Sequence, residues 1–181
     1  MKRILCLALV ICMALSLAAC ATSPAPSGSG TAEPVKMGRA EYAAHGTKCF
    51  TVAVVAMQGD KIVGASLDDY QFMGTDVATG VPNSDKDFGQ NYADPTKVLA
   101  SKRANADYYS EHMAEEAKAT KRLDTSWDEI QQFVVGKTIA ELEDTLSKND
   151  NTQILDVVSG ATLVDTHGYL EAIVAAAKNA K

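Results

Sequence analysis

The sequence predicts a small α+β domain, and three observations lead there. Two β-branched runs, 50–57 and 61–68, flank a turn and read as a hairpin. Helix start signals cluster later, in 126–129 and 138–141. Strand and helix patterns do not alternate as parallel βαβ units would, so an antiparallel sheet with packed helices fits the order best.

Phe50–Met57 is apolar and β-branched, the pattern of a buried strand. Gln58-Gly59-Asp60 has turn chemistry, and Lys61–Asp68 returns as the second strand. Tyr70–Met73 either prolongs that strand or opens a third element. From Gly74 to Pro95 the chain is rich in Gly, Asp, Asn and Pro, which predicts a long loop. Ala104–Ala119 reads as a helix with Tyr108, Met113 and Ala117 on one face. Ser126-Trp127-Asp128-Glu129 has the form of a capping box for a helix through Val135, with Gly136 as its stop. Thr138-Ile139-Ala140-Glu141 repeats that form and starts a helix to about Leu146. Ile154–Val158 is a short strand candidate, and Ser159-Gly160-Ala161-Thr162 a tight exit from it. Asp165 is placed to cap a last helix, Thr166 to about Asn179, with Leu170, Ile173, Val174 and Ala177 sharing a face.

The N-terminus has a different character. Met1-Lys2-Arg3 is basic, Ile4–Leu17 is apolar, and Ala18-Ala19 precede Cys20, the order of a secretory signal peptide. Leu17-Ala18-Ala19-Cys20 resembles the bacterial lipobox, which implies cleavage after residue 19 and lipidation of Cys20. Several acyl chains on one residue would hold the protein stably to a membrane surface, on its extracytoplasmic side. Residues 21–31 lack large apolar side chains and cannot build a core. Residues 20–37 therefore read as a lipidated tether, spanning roughly 20–25 Å as a flexible chain. The folded domain is expected over 38–181.

Composition narrows the function. Apolar residues make up 46% and charged residues 22%, enough for an ordinary globular core. The net charge is −6; without Lys2 and Arg3 it is −8, from 15 basic and 23 acidic residues. That field repels nucleic acid, and no basic stripe offsets it. Cys6 and Cys12 precede the cleavage point and Cys20 is committed to lipid, so Cys49 has no internal disulfide partner. Beside the first strand it reads as a buried, inert thiol.

The most informative segment is Asp156-Val157-Val158-Ser159-Gly160-Ala161-Thr162. It resembles the flavinylation motif of the FMN-binding domain family. That family includes the covalent-flavin subunits of the sodium-pumping NADH:quinone reductase and of the Rnf complex, and lipid-anchored extracytoplasmic flavoproteins. The hairpin over 50–68 is also similar to the family's first hairpin. The resemblance implies an FMN-binding-domain-like fold and FMN joined to Thr162 through a phosphoester. It also implies a flavin transferase to install the cofactor, and electron exchange with redox proteins or a quinone. Asp156 is the motif's acidic residue, either orienting the acceptor or holding the transferase's metal. Leu163-Val164-Asp165 departs from the further Ser/Thr residues often found after the acceptor.

The chemistry suits that reading. A Thr hydroxyl is a weak nucleophile, so an outside enzyme needs it exposed. Gly160 and Ala161 offer little obstruction, and a following helix N-terminus favours phosphate. His167 is a candidate phosphate contact. His45 is a candidate flavin contact, while His112 beside Glu111 and Glu115 reads as solvated. The three histidines have no metal-ligand spacing. Tyr70, Phe72, Phe88 and Tyr92 are candidates to stack on a flavin ring or to pack in the core. No catalytic triad, P-loop or dinucleotide fingerprint is present. The rival expectation is a non-redox binding or surface lipoprotein that keeps the fold without flavin.

Overall fold

In the first long strand of the hairpin, side chains alternate strictly between buried and partly exposed, so one face of the sheet is committed to the core. The structure, a computed structural model, describes residues 32–46, 48–82, 94–158 and 160–181. The lipobox with Cys20, motif residue Ser159, and Phe88 and Tyr92 lie outside them. Its elements all belong to one unit, Glu33–Lys181.

Four strands, β1 (Val35–Tyr42), β2 (Cys49–Gln58), β3 (Lys61–Gly74) and β4 (Lys97–Ser101), form an antiparallel sheet in sequence order. Five helices follow: α1 (Ala106–Ala117), α2 (Leu123–Val134), α3 (Ile139–Lys148), the single turn α4 (Ile154–Val157) and α5 (Thr166–Lys178). The fold is α+β, as the element order predicts. Among the described residues no helix is long and apolar enough to cross a membrane.

The β2–β3 hairpin turns at Gly59-Asp60, where Gly59 adopts a φ of 62° that its missing Cβ permits. Tyr70–Met73 prolongs β3 and pairs with β4. Beyond the reach of β4, side chains cover the open edge of β3. Leu67 N–H donates to Gln131 Oε1 at 2.7 Å, and Arg103 Nε donates to Leu67 O at 3.0 Å.

Ala53, Val55, Met57, Ile62 and Leu67 from the sheet meet Trp127, Ile130 and Val134 of α2, Leu142 of α3, and Leu170, Ile173 and Ala177 of α5. Helix α5 lies across β1 and β2. Its approach is so close that a Cβ on Gly38 would stand 2.0 Å from Ala176 O. The Thr138–Glu141 capping box forms as expected.

Several expectations change. β1 begins at Val35, so the end of the expected tether, 35–37, is strand. β4 falls where no element was expected. Helix α2 starts at Leu123, and Ser126 is buried inside it rather than capping it. The stripe Leu123, Trp127, Ile130 and Val134 is continuous, and burying all of it outweighs starting at a capping residue. In α1 the buried residues are Ala106 and Ser110, while Tyr109 and Met113 pack against the core. Ile154–Val157 is a helical turn, closed by Val158 N–H on Ile154 O at 3.0 Å, and not a strand.

Candidate functional site

Strand register creates the site's base. Thr51 and Asp69 are direct cross-strand partners on the inward face, where Asp69 follows Leu67 in phase. Just past β4, Lys102 N–H donates to Asp69 O at 2.8 Å, which turns the lysine side chain inward. Lys102 Nζ reaches Asp69 Oδ2 at 3.1 Å, with side-chain exposures of 1% and 0%. From α5, Tyr169 donates its hydroxyl to the same oxygen at 2.8 Å, and Thr51 donates to Oδ1 at 2.5 Å. Lys102 Nζ also lies 3.7 Å from Cys49 Sγ and 4.6 Å from the centre of the Tyr109 ring. Three other parts of the chain thus converge on the buried carboxylate of β3.

The electrostatics follow from this packing. Burial, with the Asp69 carboxylate close by, pushes the Tyr169 phenol well above its usual range. Burial works to lower the Lys102 ammonium, but Asp69, then Tyr109 and Cys49, more than offset it and leave it raised. Burial also raises the Cys49 thiol, despite the opposing charge of Lys102, and the residue is buried as the sequence suggests.

Above this base lies a cavity of about 410 Å³. Lys102 and Tyr169 border it from below and Tyr109, His112 and Met113 of α1 from one side; Thr162–Asp165 and His45 complete its rim. The volume lies within the range of small-molecule sites. Thr162 is exposed. No family model, curated protein or solved structure matches this chain.

The loop carrying Thr162 is pinned on both sides of that residue. Gly160 has φ 94°, and a Cβ there would meet Glu129 Cδ at 2.8 Å. Lys121 Nζ donates to Gly160 O, and Ala161 N–H closes on Val158 O at 3.1 Å. Ala161 and Leu163 are buried on either side of exposed Thr162. Burying the two neighbours turns the residue between them outward.

The remaining motif residues are dispersed. Asp156 is exposed on α4 and does not border the cavity. His167 faces away: its Nε2 lies 3.4 Å from Leu146 O and its Nδ1 3.8 Å from Glu171, so the structure does not bring it to Thr162. Asp165 occupies the N-cap position of α5 but makes no side-chain cap; its carboxylate pairs with His45 Nδ1 instead. His45, and exposed His112, do border the cavity. Tyr70 stacks on Phe50 at 5.6 Å on the opposite sheet face, and Phe72 shares that face, so neither reaches the cavity. The tyrosines there are Tyr109 and Tyr169, which sequence reasoning missed together with Lys102 and Asp69. One signal was available for Asp69: it falls in phase with Leu67, one residue past the strand predicted over 61–68.

Proposed function

We propose that the chain is an extracytoplasmic lipoprotein, anchored through Cys20, that carries FMN on Thr162 and acts as an electron carrier. The observation that carries this reading is the exposed Thr162 on the rim of the cavity. A transferase needs that access, and a tethered planar ring needs an adjoining recess. Tyr109 and Tyr169 give the recess aromatic walls, Met113 and Leu123 give it apolar surface, and Lys102 gives it a cation. These residues fit a flavin. The cofactor supplies the redox chemistry; the chain positions it, limits its contact with water and sets its electrostatic surroundings. The lipid anchor keeps the domain beside membrane donors, and the tether lets it reach acceptors.

The test is intact-mass analysis of mature protein exported beside an active flavin transferase, under denaturing conditions. The reading expects a mass gain of one FMN in the wild type and none in Thr162→Ala. A colourless, unshifted wild type would favour the binding lipoprotein without flavin, and a gain surviving in Thr162→Ala would place the cofactor elsewhere.

A further inference from the structure

We infer that the buried Lys102–Asp69 pair sets the reduction potential of a flavin held in this cavity, Lys102 raising it and Asp69 holding that effect back. The inference rests on the proposed flavin site and deepens it.

Lys102 is a cation 1% exposed, in a chain whose net charge is −6. Burying an ion pair costs several kcal/mol per ion before attraction restores it, and apolar residues of like volume often serve stability as well. Stability alone therefore does not account for a lysine here. Its position is asymmetric: Lys102 borders the cavity, whereas Asp69 lies behind it and does not. The ammonium is held by Asp69 Oδ2 at 3.1 Å and by the Tyr109 ring at 4.6 Å. A ring seated in the cavity meets the positive end of this pair first. A bound flavin supplies a couple in which two electrons and one proton leave the ring with one negative charge. In low-dielectric surroundings a fixed cation on the cavity side favours that charged form. Other charged groups at the rim, Asp165, Glu116 and Lys118, are more exposed and screened by water.

The experiment is spectroelectrochemical titration of the full, flavin-loaded protein with three variants. Lys102→Met is expected to lower the midpoint potential, and Asp69→Asn, which leaves the cation unopposed, to raise it. A merely structural role would move both in the same direction. The third variant, Lys102→Met with Asp69→Leu, removes both buried charges at once and keeps the test available if a single variant fails to fold. It is expected to lower the potential by less than Lys102→Met, because the nearer charge is the positive one. Potentials unchanged in all folded variants, or shifts of one sign in both single variants, overturn the inference while leaving flavin attachment at Thr162 intact. Absence of flavin from the wild type overturns the proposed function and this inference with it.

Discussion

Tyr169 and Lys102 share one acceptor: both donate to Asp69 Oδ2, at 2.8 and 3.1 Å, from elements 67 residues apart in the chain. This carboxylate ties α5 to β3 and to the end of β4. Removing it leaves a buried ammonium without its counter-charge. Asp69→Ala is expected to cost about 3–5 kcal/mol, the range for breaking a buried pair. Urea unfolding of the mature domain measures this. A loss under about 1 kcal/mol, the ordinary worth of an exposed pair, would contradict the buried network.

The same network sets a pH dependence. The folded-state values of Tyr169 and Lys102 are both raised above their ordinary values of 10.0 and 10.5. The folded state therefore retains protons that the unfolded chain releases. This contribution is complete below pH 10 and is lost as pH rises through and beyond that range. The urea midpoint should fall above pH 10, and fall less steeply in Tyr169→Phe. An equal fall in both proteins would remove Tyr169 from the account.

Helix α5 permits no side chain at Gly38. A Cβ at that position meets Ala176 O at 2.0 Å and Ala180 N at 2.8 Å, both backbone atoms that cannot rotate away. Gly38→Ala is expected to destabilise by about 3 kcal/mol, the upper part of the overpacking range. Thermal unfolding reads this out, and an unchanged melting temperature would mean that α5 sits further from β1.

The acceptor loop offers a test that spares the core. At Gly160, with φ 94°, a side chain is strained and meets Glu129. Gly160→Ala should slow flavin attachment while leaving most of the fold's stability, as measured by transfer time course and thermal unfolding together. Lys121→Ala, which removes the contact to Gly160 O, should slow it in the same way. Wild-type attachment rates in both variants would show that the loop's conformation is unimportant to the transferase.

The legible parts of this fold were those in which local and global preferences agree. Phe50–Met57 is β-branched and half-buried, and Thr138 with Glu141 forms a capping box in an exposed turn, so each could be read from its own residues. β1 escaped notice because it buries only Gly38 and Ala40, leaving Val35 and Met37 exposed beside charged neighbours. β4 has five residues and pairs only with the far end of β3. Ser126 mimics a cap, yet the helix extends back to bury Leu123. Of the candidate site, Thr162 was visible through its motif, but the cavity it borders was not. That cavity depends on Lys102, Tyr109 and Tyr169, which come together only through strand register and the packing of α5. Asp165 looked like a helix cap because nothing nearby in sequence announces His45 as a competing partner.

The measurement closest to the central claim is the visible spectrum of mature protein, exported beside a flavin transferase and then passed through denaturing gel filtration. Flavin absorbance should travel with the unfolded polypeptide and vanish from Thr162→Ala. Flavin eluting apart from the wild-type chain, or absent altogether, would contradict covalent attachment at Thr162.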